Sequence, residues 1–379
     1  MSHRELASIT RLTADLVAVD SRSFVSNLPV AHIVEAQLAC FEIERLDWTE
    51  PGGIAKRALV ARRGRGGLAF SAHMDTVPAT GWTEDPFAAR IDAHGVMHGL
   101  GSTDMKGPLA AIIHAARALP ADVPVSLLIT TDEETSKEGA RRIARDSVLL
   151  RDHPPTGIII AEPTAMRPVR GHRGSYDFIA TATGIQAHSS TGLGRNANWE
   201  LLPFLAEMRS LQLMLRDSPE WQDPAYEPSF CDLNLVIDNH GTAPNVTVGR
   251  ATATLKFRFS RGIDADAIAE RVREAAALCG VALEVQAEAK PPELPARHPL
   301  VRLCEKITGA TAQTAPYGTD ATELQAIAPC VILGPGDIAT AHTPHERVRL
   351  LDLADSVDIF IKLAESITRD PIAPAAHPA

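Results

Sequence analysis

No stretch of this 379-residue chain approaches the ~20 consecutive apolar residues that a transmembrane helix requires. The opening Met1-Ser2-His3-Arg4-Glu5 forms no apolar signal core, so a cytoplasmic protein is expected. Excess positive charge is missing too. Lys and Arg number 37 against 47 Asp and Glu, which leaves a net charge of −10. No nucleic-acid or anionic-membrane partner is therefore expected. Cysteine is scarce: Cys40, Cys231, Cys279, Cys304 and Cys330 are odd in number, far apart and never in Cys-x-x-Cys form. That argues against a disulfide framework or Cys-ligated zinc and suits a reducing compartment. The five read as small buried core residues. Internal repeats are absent, and Pro371 to Ala379 reads as a frayed tail.

What is there is ordinary globular composition, 45% hydrophobic and 22% charged, in a length that favours two domains. Ile9, Leu12, Leu16 and Val17 share one helical face over 5–18, and 31–41 repeats the pattern. Leu59–Ala61, Leu68–Ala72, Val125–Thr130 and Gly157–Ala161 read as apolar strands, separated by predicted helices over 107–119 and 138–150. Pro108 sits in the first turn of the former, where proline is tolerated. Strands without alternation, separated by helices, imply an α/β fold: a mixed or parallel sheet with helices on both faces. From about 171 to 292 the texture changes. The 176–183 stretch alternates as half-buried strands do. Helices are expected over 196–213 and 264–279, with strands at 232–237, 251–259 and 281–287. That order fits an α+β sandwich inserted into a catalytic domain made of 1–170 and 293–379.

Five acidic or histidine-bearing segments follow the apolar runs: His73-Met74-Asp75, Asp104-Met105-Lys106-Gly107, Glu133-Glu134, Glu162-Pro163 and His342-Thr343-Pro344. In open α/β sheets, ligands bind beyond the carboxyl ends of strands. Remote parts of the chain can thus converge at one rim. Two imidazoles and at least three carboxylates suffice for two divalent ions with one bridging carboxylate. Such a mixed set suits zinc, with cobalt or manganese tolerated. Asp75, two residues from His73 on extended chain, can serve as the acceptor for its second ring nitrogen. Asp104, in a glycine-rich stretch, is the natural bridge. Of Glu133 and Glu134, one can bind metal while the other moves protons.

The stretches Ser71–Pro78, Gly99–Gly107, Thr130–Thr135, Ala161–Thr164, Ala187–Ser190, Pro316–Asp320 and Val331–Glu346 resemble the co-catalytic metallo-aminoacylases and carboxypeptidases, over nearly the whole chain. The resemblance implies that His73 and Glu162 bind one zinc, Glu134 and His342 the other, and that Asp104 bridges them. It also implies that Asp75 orients His73, that Glu133 is general base and acid, and that the peptide bond after Asp104 is cis. It further implies a homodimer through the inserted domain, with His188 reaching the partner's site to hold an oxyanion. Asn245 and Arg258 match positions that bind the substrate carboxylate, and Gly318 and Thr319 a loop near that end of the substrate. The stretches Val169–Gly174, Tyr317–Ala321 and Leu333–His342 look more like the acetylornithine deacetylase branch than the desuccinylase branch. The implied substrate is a small N-acyl amino acid, N2-acetyl-L-ornithine first. Succinyl-diaminopimelate and broader N-acyl amino acids or dipeptides are the alternative. Two positions depart from the pattern: His345 stands where Asn or Asp is more usual, and Asp320 where Glu is common.

Overall fold

Unbroken apolar runs become fully covered strands because no position along them faces water. In the computed structural model, which describes residues 3–372, Leu68–His73, Val125–Thr130 and Gly157–Ile160 are buried throughout. Residues 373–379 of the expected tail lie outside the described part. Contacts divide the chain into two units. The first runs up to Gly171 and resumes at 292–313 and from Thr319; the second holds 172–291 and 314–318.

The main sheet contains β1 (Glu42–Thr49), β2 (Ala55–Arg63), β3 (Leu68–His73), β6 (Val125–Thr130), β7 (Gly157–Ile160), β8 (Val169–His172), β13 (Gln313–Ala315) and β14 (Cys330–Ile332). Their order is β1-β2-β6-β3-β7-β14-β8-β13. The central strands β6, β3, β7 and β14 run parallel, while β1 with β2, β2 with β6, and β14 with β8 are antiparallel. It is the mixed α/β sheet expected. A three-stranded sheet joins β4 (Arg90–Ile91), β5 (Val96–His98) and β15 (Arg347–Arg349).

Helices α1 (His3–Val17), α2 (Leu28–Gln37), α3 (Lys106–Ala118), α8 (Pro299–Thr308) and α10 (Leu350–Arg369) share one core with Leu68, Phe70, Val125, Leu127 and Ile159. Because strand side chains alternate, Leu128, Ile158 and Ile160, buried but outside that core, face the other side. There α4 (Glu138–Asp146) packs on β2 and β6, and α9 (Ala321–Leu324) packs on α4 and β14. The helix expected over 138–150 is in fact two, α4 and α5 (Val148–Asp152). Ser147 breaks it with extended backbone, its hydroxyl accepting the Leu150 N–H at 3.2 Å and donating to Glu44 at 2.6 Å. The helix expected over 31–41 starts at Leu28 and stops at Gln37, and β1, which follows, lacked the apolar run that marks the inner strands. Cys231, Cys304 and Cys330 are buried as expected, whereas Cys40 is exposed and Cys279 half-buried. Burial pushes the Cys304 thiol up to about 12.

The second unit is a strand-helix-strand-strand-helix-strand sandwich: β9 (Gly174–Thr183), α6 (Ala197–Asp217), β10 (Asp232–Asp238), β11 (Arg250–Phe259), α7 (Ala265–Leu278) and β12 (Ala282–Ala287). Its sheet is antiparallel in the order β10-β11-β9-β12. Phe178, Phe204, Leu255, Phe257 and Ile268 fill its own core. Asn196 and Asp264 cap α6 and α7 through side-chain oxygens, a usual helix-start device.

The first unit's core is keyed by Phe360 on α10 against Phe70 on β3, with ring centroids 5.3 Å apart and both fully buried. Phe360→Ala is expected to destabilise the protein by about 3–5 kcal/mol. The check is a lower urea midpoint with an unchanged slope.

Candidate metal centre

Parallel pairing places the carboxyl ends of β3, β6, β7 and β14 on one rim, and the chain-end contacts continue it. Met74 N–H donates to the Thr130 carbonyl at 3.0 Å, Ala161 to Ser71 at 2.9 Å, and Leu333 to Ile160 at 2.8 Å. His73 ends β3, Glu133-Glu134 follow β6, Glu162 follows β7, and the segment after β14 leads to His342. Gly334 permits the tight approach of that last segment: a Cβ there would lie 2.1 Å from the Ala161 carbonyl oxygen.

Asp104 lies between the two imidazoles. Its Oδ1 is 3.1 Å from His73 Nε2, and its Oδ2 is 3.3 Å from His342 Nε2. Glu162 Oε1 stands 3.8 Å from His73 Nε2, and Glu134 Oε1 is 2.9 Å from His342 Nε2. Ligand-type atoms of His73, Glu133 and Glu162, and again of His73, Asp104 and Glu134, fall within 4.8 Å of one another. The two halves differ in depth: His73, Asp104 and Glu162 are buried, whereas the His342 side chain is 50% exposed. The bond from Asp104 to Met105 is cis.

Asp75 does more than face His73. His73 Nδ1 is 2.9 Å from the Asp75 carbonyl oxygen and 3.5 Å from its carboxylate. The carboxylate itself accepts the Glu133 and Glu134 backbone N–H groups, each at 3.2 Å, and the Ser23 hydroxyl at 2.8 Å. One buried aspartate thus ties the His73 strand end to the paired glutamates. Beneath them, fully buried Lys56 donates to Asp132 at 2.5 Å and to the Ser23 carbonyl at 2.6 Å. The Asp132 carbonyl closes the turn by accepting from Ser136 and Lys137. Glu346, also buried, accepts the N–H groups of Thr103 and Asp104. Lys56, Asp132, Ser23 and Glu346 carried no reading from the sequence. Asp132 lies within the Thr130–Thr135 resemblance and Glu346 within Val331–Glu346, which were the signals available.

So many buried carboxyls around two imidazoles set the electrostatics. Burial, then the charge of Asp104, pushes Glu134 up to about 8 and holds Glu162 well above its usual range. Burial likewise raises Glu133. Burial opposes ionisation of Asp104 too, but bonds to His342 and His73 hold it below the ordinary carboxylate range. His342 is pushed up to about 11 by Asp104 and then Glu134; His73 is raised by Asp104 and Asp75 despite its burial. The cluster thus holds more buried carboxyls than its two imidazoles can neutralise, an excess that bound protons or cations offset. Hard oxygens plus two imidazoles, arranged about a shared carboxylate, fit a pair of divalent cations.

The residues matched to substrate binding divide between places. In the second unit, the bridge between His188 and Val246 and the Gly184–Gly249 hydrogen bond continue the β9–β11 ladder beyond β11. The Ser189 N–H donates to the Asn245 carbonyl at 3.0 Å, so exposed His188 and exposed Asn245 are neighbours. Arg258 is not with them. It lies at the far end of β11, and the eight steps from Arg250 to Arg258 alone span roughly 26 Å at strand rise. Thr319 is buried, with its hydroxyl accepting the Ala321 N–H, and Gly318 precedes it, half-buried. Asp320 is buried and accepts from the Thr130 hydroxyl at 2.5 Å, so that departure lies beneath the rim; His345 is exposed.

The fold and this cluster define a class, the metal-dependent hydrolases of amide bonds. The chain belongs to peptidase family M20/M25/M40, whose model matches residues 69–366. It is 31% identical over 369 residues to the acetylornithine deacetylase of Proteus mirabilis (strain HI4320), covering 93% of this chain and 94% of that one. It is 33% identical over 315 residues to the acetylornithine deacetylase of Pectobacterium carotovorum subsp. carotovorum (strain PC1), covering 79% and 80%. Among solved structures, the di-peptidase Dug1p from Saccharomyces cerevisiae shares the fold with a TM-score of 0.77 at 14% identity, over 98% and 100% of the two chains.

A pH dependence follows for the metal-free protein. A carboxyl raised by folding, such as Glu134, gives stability that is complete below its unfolded value near 4.5 and is lost as pH rises through about 8. A raised imidazole, His342, acts in the same sense from about 6.5 upward. Chelator-treated protein should therefore melt at progressively lower temperature from pH 5 to pH 8. Added zinc or cobalt should flatten the slope. The check is a set of melting curves with and without metal.

Proposed function

We propose that this chain is a dinuclear-metal deacetylase that hydrolyses N2-acetyl-L-ornithine to L-ornithine and acetate. The observation that carries the dinuclear reading is Asp104, with one carboxylate oxygen toward each imidazole. His73, Asp104 and Glu162 would hold one ion, and His342, Asp104 and Glu134 the other. Zinc is the first expectation and cobalt the second, given this donor set. The substrate is supported by relatives of that name along nearly the full length.

When bound, such ions supply Lewis acidity, making water nucleophilic near neutral pH and polarising the acyl carbonyl. Glu133 takes a proton from the attacking water and returns it to the departing amine as the C–N bond breaks. Its poise for this is supported by burial, which raises its affinity for a proton. Asp75 keeps Glu133 in place by accepting its backbone N–H. His188 would steady the oxyanion of the tetrahedral species. Arg258 and Asn245 would bind the substrate carboxylate, the arginine through two parallel hydrogen bonds, with Gly318 and Thr319 lining that end.

The distance along β11 bears on assembly. One second unit cannot bring Arg258 and Asn245 to a single carboxylate, so the reading requires a homodimer in which His188 and Asn245 come from the other copy. The outer edge of β10 supports this. It is unpaired among the described residues and exposes Leu235, Val236 and Ile237, the kind of edge that recruits another chain. Cytoplasmic residence belongs to the same proposal.

Glu133→Ala should retain both metals and lose about 10²–10⁴-fold in turnover. Metal analysis beside steady-state rates checks it, and normal turnover in the metal-replete variant would remove Glu133 from this role. A panel of acetylornithine, succinyl-diaminopimelate, N-acetylmethionine and a dipeptide tests the substrate. Preference for acetylornithine is expected, and equal weak rates on all four would sink the assignment. Sedimentation should give a dimer.

A further inference from the structure

Glu346 stands four residues beyond His342 on the chain leading into β15. It is 1% exposed. Its Oε1 accepts two consecutive backbone N–H groups, those of Thr103 and Asp104, each at 3.0 Å. Its carbonyl oxygen accepts the Gly99 N–H at 3.2 Å, and its own N–H donates to Thr343 at 3.1 Å. One residue thus fastens the start and the end of the 99–104 loop to the segment that carries His342. Next to it, Arg347 pairs with His98 in the β15–β5 register, so the same junction is held by a ladder on its far side.

Asp104 has no comparable fixing from its side chain. Both its oxygens are turned to the imidazoles, so its orientation depends on where its backbone is held. The Thr103 hydroxyl, buried and without a hydrogen-bond partner, does not supply that fixing. The N–H groups of Asp104 and of the residue before it both converge on Glu346, and among the described residues no other side chain accepts from them.

We infer that Glu346 is a positioning residue: by holding the backbone of Asp104 it sets the shared carboxylate between the two imidazoles and so sets the capacity for a second metal ion. The inference rests on the reading of Asp104 as the shared ligand. What it adds is that the capacity depends on acceptance of backbone N–H groups by a residue that touches neither substrate nor metal. The negative charge of Glu346 is not what matters.

Titration of the metal-free protein with Co2+, followed by absorption and by metal analysis, separates the possibilities. Wild type should take up two ions. Glu346→Ala should bind its second ion about 10–100-fold more weakly, a usual consequence of losing an outer partner of a ligand. Its cobalt spectrum should change and its kcat fall to a similar degree, with KM within about threefold. Glu346→Gln keeps an oxygen that can accept both N–H groups, so it should restore two-ion binding and the wild-type cobalt spectrum. If the alanine variant does not fold, Glu346→Asp, one methylene too short to reach, should fold and show the same metal defect. Wild-type affinity and kcat in the Ala and Asp variants would overturn the inference, and so would a Gln variant as impaired as Ala. If wild type itself takes up fewer than two ions, the ligand reading falls and this inference with it.

Discussion

A single carboxylate shared by two imidazoles organises this protein's chemistry. Asp104 is buried, which alone would favour its neutral form, yet His73 and His342 hold it ionised. Burial, and then the charge of Asp104, raises Glu134 and Glu162. In a medium of low polarity these effects do not average away, because each charge is felt strongly by the next. The cluster is therefore one electrostatic unit. Removing a member changes the proton affinity of the rest, and positive charge placed among them settles all of them together.

The rest of the site keeps that unit in shape with uncharged backbone contacts and one buried ion pair. Asp75 gathers the N–H groups of Glu133 and Glu134, and Glu346 gathers those of Thr103 and Asp104. Lys56 and Asp132 form an ion pair under the turn, with the lysine satisfied further by the Ser23 carbonyl. Backbone N–H donors replace water for a buried carboxylate and offset part of the cost of burial, although burial still pushes Glu346 up to about 7. This is why acidic residues can crowd a rim that is otherwise apolar: some face inward to the backbone, the others outward to the reaction.

Sequence carried the first layer of this and little of the second. Unbroken apolar runs revealed β3, β6 and β7, since burial on both faces removes alternation, and the acidic or histidine residues directly after them marked the rim. His73, Glu133, Glu134 and Glu162 stood out in the sequence for that reason. Partnerships between remote segments were not. Lys56 with Asp132 spans 76 positions and Glu346 with Thr103 spans 243, and no local pattern distinguishes such a pair from two separate charged residues. Ser147 was misread inside a helix because capping hydroxyls and helical surface serines look alike until Glu44 is brought beside it. The strand expected at 251–259 already set Asn245 and Arg258 apart, but matching both to one substrate carboxylate left that separation unused.

The cluster's two halves are built into different kinds of structure. His73 closes a central strand whose every residue is covered, and Glu162 follows the neighbouring strand. His342, by contrast, sits half-exposed on a connecting loop at a positive φ of 59°. Displacing His342 asks only for a loop to swing, while displacing His73 asks for the sheet's central pairing to part. Local opening of the cluster therefore begins at His342 and not at His73.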